Sequence, residues 1–207
     1  GVSNAYLLAW AALVTLLDAL AFAVLVGRSP SRPHRVGAWF WVAALLLLGP
    51  IALYRIDAIT VPLAVVGGLW LSRRPAVAAA LLTIGAWIKI WPAALVIAAI
   101  VASRHRMRVL LTAAAVTAGV VVVLLLLGAD TEILGFLAAQ NGRGLQIEAV
   151  AATPFLWLVV GGAATIEYSF EILTFQIGAP GAEALAEVLT PLMVAIVVIV
   201  TAMGAVK

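Results

Sequence analysis

Residues 76–103 read AVAAALLTIGAWIKIWPAALVIAAIVAS, an apolar stretch interrupted by Lys89 and Pro92. At about 1.5 Å per residue it is too long for one upright crossing of a bilayer core and too short for two complete ones. Pro92 removes a backbone donor and disfavours an unbroken helix. The stretch therefore predicts two short helices that meet around Lys89-Ile90-Trp91-Pro92; the alternative is one long, tilted helix with a kink. The basic residues on either side choose between them. Arg28, Arg32 and Arg35 share one loop, Arg73 and Arg74 a second, and Arg104, Arg106 and Arg108 a third. With two short helices all three loops fall on one side, which the retention of positive charge makes cytoplasmic. A single kinked helix would put the third loop outside, against that rule.

Composition carries the same reading to the whole chain. Hydrophobic residues make up 66% of the sequence and charged ones 10%, where a soluble domain has roughly a quarter charged. There is too little polar surface to cover a water-soluble globule, so the bilayer is the expected solvent. At about 20 apolar residues per span, the 207 residues can hold about six or seven. Spans are predicted over Tyr6–Val26, Val36–Leu53 and Ala58–Leu71, then, beyond the two short helices, over Val109–Leu127, a short one over Ala149–Gly162, and Ala182–Val206. Gly128–Glu148 is a long polar segment. Along Ile166–Ile177 apolar Ile166, Tyr168, Phe170 and Ile172 alternate with polar Glu167, Ser169 and Glu171, a strand period that predicts a small hairpin or surface strand. The expected fold is all-α: a polytopic transmembrane helical bundle with short broken helices and an external polar loop. Residues 1–207 form a single transmembrane domain on this reading. With its abrupt start at Gly1 and its stop just after an apolar run, the chain is expected to be a piece of a longer protein.

Several function classes drop out. Without cysteine there is no disulfide framework and no thiolate metal site. His34 and His105 sit among arginines in polar loops, which argues against a zinc or haem centre. The sequence pI is near 9.8, but the basic residues lie in short clusters between apolar runs, as topology signals do, so no nucleic-acid partner is expected. The first apolar run is a full-length span rather than the shorter core of a signal peptide.

The same threading carries Arg55, Asp57, Lys89, Asp130, Glu132, Asn141, Arg143, Gln146 and Glu148 to the external level. A charge in the hydrocarbon costs about 2.5–3.5 kcal/mol at its centre, so each is a functional candidate by default. Lys89, between Ile88 and Ile90 at a helix junction, offers an ammonium to a phosphate; the plainer reading is a lysine snorkelling to the headgroups. Arg55 and Asp57 flank Ile56 and point the same way if the connection is extended. Asp57 can equally cap the helix that begins at Ala58. In Gly142-Arg143-Gly144-Leu145-Gln146-Ile147-Glu148 two glycines free the backbone around an arginine, a way to bring amides and a guanidinium to an oxyanion. The alternative there is capping and an interfacial turn. Asp130 with Thr131 reads as the cap of a short interfacial helix. Asp18, mid-way along the first span, is expected to hydrogen-bond a neighbouring helix.

Taken in order, Tyr54-Arg55-Ile56-Asp57, Lys89-Ile90-Trp91-Pro92 (a K-x-x-P after a small-residue helix) and Arg143-Gly144-Leu145-Gln146-Ile147-Glu148 resemble the C-class polytopic glycosyltransferases. The branch is that of the bacterial polyprenyl-phosphate-mannose-dependent α-(1→2)-mannosyltransferases and their uncharacterised relatives, and the resemblance covers about residues 5 to 190. It implies a multi-pass plasma-membrane enzyme with an external site between helices. The donor would be a polyprenyl-phosphate sugar, the acceptor a glycolipid or lipoglycan, with membrane lipids as surroundings and no nucleotide sugar. It also implies a general base on a first external loop, which would precede Gly1. Within this chain the catalytic candidates are Asp57 and Glu148. Arg55, Lys89 and Arg143 are expected to hold the donor phosphate, and Asn141 and Gln146 to bind substrate. No carboxylate cluster resembles a metal cage, so neither metal nor other cofactor is expected.

Two other classes compete. Broken helices and intramembrane charges are features of secondary transporters too, although paired halves are absent here and the charges gather at one face rather than at the midplane. A non-catalytic membrane subunit would use the same external charges only to bind a partner.

Overall fold

The computed structural model describes residues 2–27, 31–129, 133, 135, 144–170 and 174–205, with the side chains of 2–4 and 205 excepted. The chain is predominantly helical and divides into two compact units, residues 1–123 and 124–206, with the boundary in the last turn of a helix.

In the first unit α1 covers Val2–Val26, α2 Arg32–Leu48, α3 Pro50–Tyr54, α4 Asp57–Trp70, α5 Pro75–Ile88, α6 Pro92–Ala102 and α7 Arg106–Leu126. Prolines punctuate it. Pro33, Pro50, Pro75 and Pro92 all lie in first turns, where a missing N–H leaves no helical bond unmade. The expected span Val36–Leu53 is broken: Gly49 stands at φ +54° and Pro50 starts a new short helix. A glycine free to take positive φ, followed by a residue without a donor, ends α2 within one peptide. The reading of Ala76–Ser103 as two short helices holds, with the break at Lys89–Trp91.

Packing in this unit depends on small side chains. The buried face of α4 is Ala58, Thr60, Pro62, Ala64 and Gly67, and that of α5 is Pro75, Ala78, Ala79, Leu82, Thr83 and Gly85. Small residues let helix backbones approach closely where lipid-like surroundings supply little hydrophobic drive. A Cβ on Gly67 would stand 2.8 Å from Leu82 Cγ and 3.3 Å from the Ala78 carbonyl oxygen. The core joins Ala64, Ala79, Leu82, Ala99 and Val109, drawn from α4, α5, α6 and α7, with Trp91 packed against it. Because α4 and α5 are joined by the short turn Leu71–Arg74 and run antiparallel, the start of α4 lies level with the end of α5.

The second unit holds a 3-10 turn, Val150–Ala152, then α8 (Thr153–Val160), β1 (Thr165–Ser169), β2 (Thr174–Gly178) and α9 (Ala182–Ala205). The predicted hairpin forms: β1 and β2 pair antiparallel from Thr165↔Gly178 to Ser169↔Thr174. Leu145 and Ile147 extend it, since Ile177 N–H donates to the Leu145 carbonyl and Ile147 N–H to that of Phe175. Leu145, Ala152, Ile177 and Ala182 form the core of this unit. The predicted short span Ala149–Gly162 is helical only over Val150–Val160, a rise of about 16 Å, half of a hydrocarbon core.

Among the described residues, three helical segments are long and apolar enough to cross a membrane: Ala5–Val26, Arg106–Leu126 and Ala182–Gly204. Exposed leucines, valines and isoleucines along them, such as Leu16, Leu20, Leu125, Val198 and Ile199, have no place in water but suit a lipid environment. These are the properties of a membrane protein.

Candidate functional site

Asp57 is the hub of the polar cluster in the first unit. Tyr54 ends α3, Arg55 takes an extended conformation, and Asp57 is the first residue of α4. On the facing strand of backbone α5 ends at Ile88, since Pro92 could not continue it, and Lys89 leaves the helix extended at φ −151°, ψ 139°. An extended residue turns its side chain away from the helix axis, here across to the neighbouring helix start. The Lys89 ammonium donates to Asp57 Oδ2 and pairs with it. Trp91 Nε1–H donates to Asp57 Oδ1 at 3.1 Å. Arg55 Nε lies 3.9 Å from Asp57 Oδ2. The three charged side chains are each about a third exposed, so they are ordered by one another while remaining reachable.

Asp57 does not cap α4 with its side chain. Ile56 occupies the capping position and no side-chain bond closes that end. The carboxylate is instead aimed across at Lys89 and Trp91.

A groove of about 590 Å³ opens beside this cluster. Its walls are Phe40, Trp41, Ala44, Leu45 and Leu48 of α2, Ile51 and Ala52 of α3, Ala58, Val61, Pro62 and Val65 of α4, and Leu25 of α1. Arg55 and Asp57 line it too. Trp10 Nε1–H donates to the Leu53 carbonyl at 2.6 Å, fixing that part of α1 level with the end of α3. Asp18, which also lines the groove, lies about 12 Å further along α1. The groove is thus an apolar channel with charge at the Arg55–Asp57 level and one further carboxylate along its length.

Of the other sequence candidates, Gln146 and Glu148 are among the described residues. Gln146 forms an isolated bridge with Gln176 beside the hairpin, and a Cβ on Gly144 would stand 2.5 Å from the Gln176 Oε1, so that side-chain end would have to move aside. Glu148 is exposed, two residues before the 3-10 turn. These belong to the second unit. Asn141 and Arg143 lie outside the described residues, as do Asp130, Thr131 and Glu132. Trp91 is the residue that sequence reasoning left without a role. Its signal was present: it stands two positions from Lys89 across Ile90, the spacing by which Arg55 and Asp57 flank Ile56.

Chemically, the cluster is two cations and an indole donor gathered on one carboxylate. An incoming phosphate offers more acceptor oxygens than that carboxylate and can take hydrogen bonds from Lys89 and Arg55 together. Asp57 then remains as the group that holds them in place. Compared with family models, with curated proteins and with solved structures, the chain finds no match.

Proposed function

We propose that this chain belongs to a multi-pass plasma-membrane glycosyltransferase of the polyprenyl-phosphate-sugar-dependent kind, moving a sugar, mannose for preference, to a glycolipid or lipoglycan acceptor at the external face. The observation that carries the reading is an apolar groove of about 590 Å³ lined by Arg55 and Asp57, with Lys89 paired to that same Asp57. A polyprenyl phosphate has that form, with an anionic head and a long apolar tail.

The acceptor hydroxyl oxygen attacks the anomeric carbon of the donor sugar. The bond from that carbon to the phosphate oxygen breaks, and polyprenyl phosphate departs with the electron pair. Lys89 and Arg55, with Arg143 as a third candidate, stabilise the charge that builds on the leaving oxygen. The acceptor proton passes to a carboxylate. Asp57 is poorly placed for this, because Oδ1 is occupied by Trp91 and Oδ2 by Lys89; it serves as the positioning residue for the two cations. The resemblance puts the expected base on an external loop preceding Gly1; within this chain Glu148 stays the fallback candidate, with Asn141 and Gln146 as sugar-binding candidates.

Asp18 is the observation that favours a transporter instead, since a carboxylate inside a groove, far along a candidate span, is a common coupling site. One experiment separates the two. Membranes carrying the full-length protein are given radiolabelled polyprenyl-phosphate-mannose, and label in membrane lipids is followed for the natural sequence and for Lys89→Ala. We expect transfer by the former and a loss of at least about 100-fold in the latter, the usual effect of removing one charge-stabilising donor. An intact protein that moves neither mannose nor arabinose from such donors would transfer the case to the transporter.

A further inference from the structure

A second polar cavity, of about 340 Å³, lies in the first unit and is lined by His34, Arg73 and Arg74 with Trp70, Leu69 and Val24. It is distinct from the Asp57 cluster, because α4 separates them: Asp57 begins that helix, and Leu69 and Trp70 end it. The turn after α4 builds it. The Trp70 carbonyl accepts from both Arg73 N–H at 3.1 Å and Arg74 N–H at 2.7 Å, and the Arg74 guanidinium lies 5.2 Å from the centre of the Trp70 ring. Two arginines are therefore fixed at the foot of the helix, with His34 contributed by the first turn of α2.

Carboxylates are scarce in the first unit. Residues 1–129 contain two carboxylates, Asp18 and Asp57. Asp57 is taken by Lys89, and Asp18 lies in the middle of α1 beside the other groove. Helix ends do not compensate either: the starts of α2 and α5 bring partial positive charge, the ends of α1 and α4 partial negative, and these largely cancel. The cavity is thus a concave site of net positive charge, inside the size range of small-ligand sites, at the ends of apolar helices where lipid headgroups would lie.

We propose that His34, Arg73 and Arg74 form a binding site for the phosphate group of an anionic phospholipid, with Trp70, Leu69 and Val24 against its glycerol and upper acyl region. Arginine forks match phosphate oxygens in pairs, and basic pockets between helices at a membrane surface are suited to such headgroups. The inference stands apart from sugar transfer and holds for a transporter equally.

The test is native mass spectrometry of the full protein, released from phosphatidylcholine nanodiscs doped with phosphatidylglycerol. The Arg73→Gln/Arg74→Gln and Arg106→Gln/Arg108→Gln pairs are compared with the natural sequence, and thermal melting in detergent checks that each is folded. One retained phosphatidylglycerol is expected, with affinity falling about thirtyfold in the first pair, the attraction that two basic side chains supply, and less than about threefold in the second. Equal losses in both pairs, or none in the first, would overturn the proposal by showing general surface attraction. Excess inorganic phosphate separates the two sources of the ligand. A lipid that stays bound in its presence assigns the site to the headgroup; displacement assigns it to soluble phosphate.

Discussion

At the scale of single residues, the unexpected participant is Trp91. Lys89 and Arg55 were legible from sequence because a charge in an apolar setting announces itself. An indole in a membrane chain does not, since tryptophan is common at interfaces for its amphipathic ring alone. Only the fold shows its N–H on Asp57 Oδ1. The role is positional: with one oxygen tied to Trp91, the carboxylate presents the other to both cations. Trp91→Phe keeps an aromatic ring to pack against the core cluster while deleting one donor to a charged group. A hydrogen bond of that kind contributes about 1.5–3 kcal/mol, so transfer should fall about tenfold or more at unchanged protein level. If the loss acts through Asp57, then Asp57→Asn/Trp91→Phe should be no worse than Asp57→Asn. Additive losses in this cycle, measured by the same radiolabel assay, would show that Trp91 acts independently of the carboxylate.

At the scale of elements, the site exists because helices stop early. The break at Lys89–Trp91 was legible because length and proline both demanded it, and the basic loops supported it. The break at Gly49-Pro50 was missed, although both residues were in view, because the run from Val36 to Leu53 has the length of a complete span and nothing in its hydropathy objects. Local backbone chemistry overrode the apolar pattern there. The same applies to Ala149–Gly162, where the apolar run is longer than the helix it forms. The α4–α5 pair then sets the distance between Asp57 and Lys89. Gly67 packs closely against Leu82 in this pair. Gly67→Ala would force a methyl into Leu82 and the Ala78 carbonyl, an overpacking that costs about 1–3 kcal/mol. A lower melting temperature in detergent is expected, together with reduced transfer, because the two helices must separate. Gly68→Ala is the companion variant: its Cβ meets nothing within 4 Å, so it should melt like the natural protein. Equal behaviour of the two would mean that the helix contact does not control the site.

At the scale of the whole molecule, membrane character was legible from composition alone, while its threading rests on charge. The two short helices α5 and α6 rise only about 21 and 16 Å, and Lys89 lies where they meet. On that threading the turn at Ser72 and the loop at Ser103 share the cytoplasmic side, whereas Ile56 faces outward with Arg55 and Asp57. The chain contains no cysteine, which makes the arrangement directly measurable. Single variants Ser72→Cys, Ser103→Cys and Ile56→Cys are each expressed in cells and treated with a membrane-impermeant maleimide before and after permeabilisation. Ile56→Cys should label in intact cells, and Ser72→Cys and Ser103→Cys only once the membrane is opened. Labelling of Ser103→Cys from outside would mean that α5 and α6 together make one crossing. The basic loop at Arg104–Arg108 would then be external, and Lys89 would sit near mid-membrane, where a transporter places its charges. The position of Ser103 therefore bears on function as well as on topology, because it decides whether Lys89 can meet a lipid phosphate at the headgroup level.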